Sequence, residues 1–446
     1  ALGVTPNESR RLRLRGVTGT STVPTIRADS FQIGELLLQP LTMPVLADAF
    51  GGAEGILGTE GLDDKRVRIE FRRDRIIITR SHGERAPPGF ITIPLDRSRG
   101  KLPVVDARMG NVPIKAIIGT GGQVTIGNLA LRLTEISGLD RVFFCNSGTE
   151  AWEAALKLAR ANSTRLRAQG RTIGTKFLAL DHSFHGRTMG SVATTAKAKY
   201  REPFGPVMPD VEFVQFNDVA DLRAKFSSEV CGICIEPIQG EGGIHPVSQE
   251  FFSAARELCN STGALLLADE IQCGLGRTGK WFAYQHYGIQ PDVTVVAKPI
   301  ANGIPMGAML STNEAAQAIT PGMHGTTFGG GPLACAVAIA VIDTMKRENT
   351  LAHVEEVGAF FKSQLQELAK RHDCITDVRG TGLMLGIELN SAELAKKAAQ
   401  QMLERRIIIN RTSETVLRFL PPYILERQHV ETAIAALDEI LKASTA

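Results

Sequence analysis

Residues 264–272 read Ala-Leu-Leu-Leu-Ala-Asp-Glu-Ile-Gln, and residues 293–299 read Val-Thr-Val-Val-Ala-Lys-Pro. Both are short apolar runs without polar alternation, the pattern of strands buried on both faces of a parallel sheet. Both also end on a charged side chain, Asp269 and Lys298, and open α/β sheets bind their ligands beyond the carboxyl ends of the strands. Working outward, Arg141–Cys145, Lys176–Leu180 and Cys231–Glu236 repeat the strand pattern, with amphipathic helical patterns at Ala151–Arg160 and Gln249–Thr262 between them. The fold expected for 129–345 is α/β with a mainly parallel sheet. A helix over Val354–Arg371 and a strand over Met384–Leu389 then begin a smaller C-terminal α/β domain, 346–446.

Before residue 129 the chain has another character. It holds no Cys, Trp or Tyr and a single His, His82. Short β-rich segments at Val67–Phe71, Arg75–Thr79, Phe90–Pro94 and Val112–Ile118 alternate with Gly, Pro and Asp turns, so 1–128 is expected to be an all-β module. Leu129–Ile136 is expected to be a helix common to both halves.

At 446 residues the chain exceeds what one hydrophobic core organises. Apolar residues make up 43% and charged residues 22%, with a net charge of +3, and no basic stripe with interleaved aromatics suggests nucleic acid as a partner. No apolar run reaches the length of a membrane span and the N-terminus lacks signal-peptide order, so the expected location is cytoplasmic. The seven cysteines, scattered from Cys145 to Cys374 in mostly apolar segments, read as reduced, buried thiols. Cys231 and Cys234 form a C-x-x-C inside an apolar run, read as core and not as a metal or redox pair; no metal is expected.

Three positions carry chemistry. Asn146-Ser147-Gly148-Thr149-Glu150 opens a helix after a strand, which makes either an anion seat or a plain cap. Asp269 is either a helix cap or a carboxylate for a protonated ring nitrogen. Lys298 is either a solvated surface group or, among apolar neighbours and beside the permissive Gly303 and Gly307, a desolvated nucleophile able to condense with an aldehyde. Taken together and in this order, they are the parts a pyridoxal cofactor requires.

Asn146–Lys157, Phe184-His185-Gly186-Arg187-Thr188, Glu236-Pro237-Ile238-Gln239-Gly240-Glu241-Gly242, Asp269–Gln272, Ala297-Lys298-Pro299 and Thr326–Gly330 resemble the motif series of class III aminotransferases, in particular the acetylornithine/ornithine group, over 129–446. The resemblance implies a fold-type-I transferase with pyridoxal 5′-phosphate. Lys298 would bind the cofactor aldehyde and then move a proton, with Asp269 as its catalytic companion on the ring nitrogen. Gln272 would meet the phenolic oxygen and Phe184 the ring face. Ser147, Gly148 and Thr149 would hold the phosphate, and Thr327 would reach the phosphate of a neighbouring subunit, which implies a homodimer with shared sites. Arg187 would bind the substrate α-carboxylate and Arg418 the distal carboxylate of glutamate or 2-oxoglutarate. Glu241 would pair with Arg418 when the amino donor lacks that carboxylate, although the two also read as a structural ion pair. The implied reaction moves an amino group from an ω-amine, N-acetylornithine foremost, to 2-oxoglutarate. Ornithine or 4-aminobutyrate as donor, and an impaired fusion serving as a binding module, stand as alternatives.

Ile117–Asn128 resembles the active-site loop of retropepsin-like aspartic proteases, with Gly119 where those enzymes carry Asp. Two carboxylates must share a proton for that hydrolysis, so the module is expected to be inactive. The space it occupies is that of the segment with which class III members usually begin. Two further departures are Trp152, where the family has Asn or a small residue and where a large ring is expected to crowd the cofactor, and the milder Gly331 before Pro332.

Overall fold

The computed structural model describes residues 123–445 continuously and, ahead of them, the backbone of nine strand segments between Asn7 and Ile117. Contacts divide the chain into two compact units, 1–127 and 128–446.

In the first unit every strand pair described is antiparallel. Asn7–Gly16, Gly19–Ala28 and Leu41–Pro44 form a three-stranded sheet, and the other segments pair as two-stranded ribbons, among them Lys65–Glu70 with Arg75–Arg80 and Val104–Met109 with Val112–Ile117. The expected strand at Phe90–Pro94 and the Gly119 loop position lie outside the described residues. From Gln123 the chain is helical: α1 runs Gln123–Ser137, so residues 123–128, read from sequence as the end of a protease-like loop, open a helix instead.

The second unit is built on a seven-stranded sheet. In chain order its strands are β1 (Arg141–Cys145), β2 (Lys176–Leu180), β3 (Val211–Val214), β4 (Val230–Ile235), β5 (Leu265–Asp269), β6 (Val293–Val296) and β7 (Gly307–Ser311). Their order across the sheet is β1-β7-β6-β5-β4-β2-β3, and only β7 runs against the rest. The apolar runs are explained by position. β4 and β5 have neighbours on both sides and every residue in them is buried, so alternation would place polar groups against covering helices.

Helix boundaries follow local chemistry. α2 (Gly148–Ala168) starts at Ser147, whose hydroxyl oxygen accepts from the Glu150 amide, and carries Arg165 and Arg167 in its last turn, where cations suit the helix dipole. The helix Gln249–Thr262 is capped by Ser248, which accepts from the Phe251 amide, and ends on Gly263 at φ +83°, a left-handed position suited to glycine. It buries Phe251, Phe252, Ala255 and Cys259 at helical spacing, and losing the serine cap alone costs about 1 kcal/mol.

Beyond the long helices Pro332–Arg347 and Thr350–Ala369, a four-stranded antiparallel sheet of Ile375–Thr381, Met384–Leu389, Val416–Phe419 and Asn410–Arg411 packs with helices Ala392–Glu404 and Arg427–Thr445. Its core is separate from that of the large sheet and joins Phe361, Leu385, Leu417, Phe419 and Leu437. All seven cysteines are buried and none is in a disulfide. Among the described residues no helix is long and apolar enough to cross a membrane, and no cluster of side chains is arranged to hold a metal ion.

Candidate functional site

Because β1, β2, β4, β5 and β6 are parallel, their carboxyl ends share one edge of the sheet, and the reversed β7 brings its amino end there. A cavity of about 360 Å³ opens at this edge. Asn146, Gly148 and Thr149 enter it from the turn after β1, Phe184, His185 and Gly186 from beyond β2, and Glu236 and Glu241 from beyond β4. Asp269 and Gln272 come from the end of β5, Lys298 from the end of β6, and residues 303–306 from the approach to β7.

Asp269 is 4% exposed. One of its oxygens accepts from the Ile271 amide at 3.1 Å, and the other lies 2.8 Å from Nδ1 of His185. The imidazole tautomer that pairs with an ionised carboxylate here is the one that donates from Nδ1. His185 is itself sealed from solvent, and its Nε2 has no hydrogen-bond partner among the described residues. Beside the pair stands Glu236, whose carboxylate accepts from the amides of Phe184 at 2.9 Å and Gly240 at 3.2 Å. Desolvation pushes the Glu236 carboxyl up to about 7, with His185 lowering it and Asp269 raising it. His185 and Glu236 escaped the sequence reading. Glu236 carries the same signal as Asp269, a carboxylate ending a buried strand, whereas His185 had no cue beyond its place between Phe184 and Gly186.

Of the two readings left open for Lys298, the structure shows a side chain exposed where it meets the cavity; apolar burial stops at Ala297, 6% exposed. Gln272 does not stand alone. Its Oε1 accepts from Arg418 at 3.1 Å, and the same guanidinium donates to Glu241 at 2.8 Å and to Asn410 at 2.7 Å. Arg418 is 8% exposed and lies behind the wall that Gln272 and Glu241 form.

Ser147 serves as the cap of α2 and does not line the cavity, whereas Thr149 does, its hydroxyl bonded to those of Thr188 at 2.7 Å and Ser191 at 2.9 Å. Arg187 is exposed outside the lining, its guanidinium 3.9 Å from the centre of the Tyr200 ring. Thr327 is exposed and likewise apart from the lining. Trp152, on the buried side of α2, is fully buried, stacks on His185 and does not line the cavity, so the expected crowding of the cavity does not occur.

The family model for class III aminotransferases matches residues 116–441. The chain belongs to the class III aminotransferases. The match begins within the stretch that reads as protease-like. Among curated relatives of this family member, the acetylornithine aminotransferase of Methanocaldococcus jannaschii is 45% identical over 314 residues, covering 70% of this chain and 77% of that protein. The acetylornithine aminotransferase of Aquifex aeolicus is 45% identical over 301 residues, covering 68% and 77%. Among solved structures, the ornithine aminotransferase of Toxoplasma gondii superposes with a TM-score of 0.68 at 30% identity, covering 78% of this chain and 80% of that one. An amine transaminase from an uncultivated Pseudomonas species, in its PLP-bound form, gives 0.68 at 27% identity, covering 74% and 83%.

The cofactor of this aminotransferase is pyridoxal 5′-phosphate, and the residues present fit it. The cavity joins an amine at Lys298, a buried carboxylate at Asp269 and the amino end of α2, whose first-turn N–H groups have no partner within the helix. Its wall is kept open by glycine. Gly186 sits at φ +129°, and a Cβ there would stand 2.7 Å from the Thr149 hydroxyl; a Cβ on Gly148 would stand 2.8 Å from Ile271.

Proposed function

We propose that this aminotransferase moves the terminal amino group of N-acetylornithine to 2-oxoglutarate, yielding glutamate. The single observation that carries the reading is the Glu241–Arg418 pair at 2.8 Å in the cavity wall, a buried cation under an acid that a carboxylate can replace. The likeness to curated acetylornithine aminotransferases supports the choice of donor. Bound pyridoxal 5′-phosphate supplies an aldehyde for amine exchange and a ring that draws electrons from the substrate carbon.

The chain's own residues do the rest. Lys298 Nζ holds the cofactor until substrate arrives, then takes a proton from the substrate carbon and returns one. With the cofactor in place, the Asp269 carboxylate would hold a proton on the ring nitrogen, Gln272 would meet the phenolic oxygen and Phe184 the ring face. Gly148 and Thr149 would hold the phosphate at the end of the helix that Ser147 caps, while the exposed Thr327 serves the site of a second copy in a cytoplasmic homodimer. Arg187 takes the α-carboxylate and Arg418 the distal one, with Glu241 moving aside for dicarboxylates and remaining on Arg418 for the amine donor. The working unit spans 129–345 with 346–446 as its smaller domain. The β-rich part of the chain, whose described strands lie between Asn7 and Ile117, is a module without hydrolytic activity, a reading that rests on the sequence around Gly119.

Purified protein supplied with cofactor tests the reading. Visible absorbance that shifts with N-acetylornithine, and glutamate formed with 2-oxoglutarate, are expected. Turnover of unacetylated ornithine alone would move the assignment to an ornithine transaminase, and no spectral change with any donor would refute it.

A further inference from the structure

The indole of Trp152 lies face to face with the imidazole of His185, ring centres 4.2 Å apart and planes 6° from parallel. The indole is a rigid plate. It is fully buried, and its far end donates from Nε1 to the Thr194 hydroxyl at 2.9 Å, which in turn donates to the Ser191 carbonyl at 3.0 Å. His185 has fewer constraints. Its ring makes one hydrogen bond, to Asp269, and the buried Nε2 has no partner among the described residues. A single hydrogen bond does not set the plane of this fully buried imidazole, which is left to the rings and side chains packed against it. A flat neighbour at stacking distance sets that plane.

We propose that Trp152 is a positioning residue: by clamping the plane of His185 it fixes the Asp269 carboxylate that receives the cofactor's ring nitrogen. This rests on the pyridoxal-phosphate reading above. The Asp269 oxygens are held from two directions, by the Ile271 amide and by His185, and the first of these is fixed by the backbone. The His185 contact is the adjustable one. Outer partners of this kind orient the group that meets a bound cofactor or metal and tune its affinity. Trp152 therefore acts on Asp269 across one intervening ring, without touching the cavity.

The test measures pyridoxal-phosphate dissociation constants by equilibrium dialysis of cofactor-free protein, with thermal midpoints alongside. Trp152→Leu removes the plate, Trp152→Met fills much of its volume without a plane, and Trp152→Phe restores an aromatic face but not the bond to Thr194. All three are expected to lower the thermal midpoint, since each loses that bond and packing volume. Cofactor binding is expected to weaken about fivefold in the Leu and Met variants and less than about twofold in the Phe variant. In a His185→Asn background, Trp152→Leu and Trp152→Met are expected to leave the dissociation constant unchanged, because no imidazole remains to be clamped. Equal affinity in wild type and the non-aromatic variants, affinity that merely tracks the thermal midpoint through the Phe variant, or the same loss in the His185→Asn background would each overturn the role. Wild-type protein that binds no cofactor would instead overturn the cofactor reading on which the role rests.

Discussion

Glu241→Gln isolates the exchange of acids on Arg418. In the resting chain the guanidinium donates to Glu241 at 2.8 Å, Gln272 at 3.1 Å and Asn410 at 2.7 Å. For 2-oxoglutarate to bind through its distal carboxylate, the Glu241 contact must break. Glutamine keeps the shape and an acceptor oxygen but removes the charge. A charge-assisted hydrogen bond is about twice as strong as a neutral one, so the difference at stake is about 1 kcal/mol once the partial exposure of Glu241 is discounted. At about 1.4 kcal/mol per tenfold, KM for 2-oxoglutarate should fall about fivefold. The fold should lose about 1–3 kcal/mol, because the buried Arg418 loses the charge of its carboxylate partner while Gln272, Asn410 and the glutamine oxygen still accept from it. Steady-state kinetics with 2-oxoglutarate varied at saturating donor, and with the donor varied at saturating 2-oxoglutarate, separate the two arms. KM for the donor should not fall. An unchanged or raised KM for 2-oxoglutarate, in a variant that is folded and retains cofactor, would refute the exchange and leave Glu241–Arg418 as a structural ion pair.

Two further perturbations test the scaffold. Glu270 is fully buried, accepting from the amides of Ala283 and Tyr284, and burial pushes its carboxyl up to about 7 against an ordinary 4.5. A carboxyl raised in the folded state contributes stability that is present below about pH 4.5 and lost as pH rises through about 7, on the order of 3 kcal/mol. Urea unfolding at pH 5 and pH 8 should therefore show a larger loss in wild type than in Glu270→Gln; equal losses would contradict the assignment. Gly186→Ala places a methyl at φ +129° and 2.7 Å from the Thr149 hydroxyl, so it should cost about 1–3 kcal/mol of stability and weaken cofactor binding, read by thermal melts and dialysis. A variant as stable and as tight-binding as wild type would show that the cradle does not need glycine there.

The strands of the large sheet were legible where burial on two faces makes the sequence unambiguous. Lys176–Leu180 and Leu265–Asp269 stand where their apolar runs were read, and the edge strand Arg141–Cys145 does too although only Phe144 and Cys145 in it are buried. The helix Gln249–Thr262 was legible because serine and glycine bracket an apolar stripe. β3, only four residues long at the sheet edge, and β7, which begins on glycine and holds no β-branched residue, gave no comparable signal. The cavity's charged ends, Asp269 and Lys298, were readable because a charge closing an apolar strand is conspicuous. His185 was not, since its role depends on which ring lies behind it and which carboxylate in front, contacts made across long sequence separations. Trp152 shows the same limit from the other side. Its size suggested interference with the cavity, and only the packing of α2 against the Phe184–Gly186 turn turns that bulk away from it.

The central claim is that Lys298 carries the cofactor. Reducing the cofactor-loaded protein with borohydride, digesting it and locating the pyridoxyl mass by peptide sequencing in the spectrometer tests it directly. The expected result is one modified peptide with the label on Lys298, absent when Lys298→Ala is treated in the same way. Label on another lysine, or wild-type protein that takes up none, would contradict it.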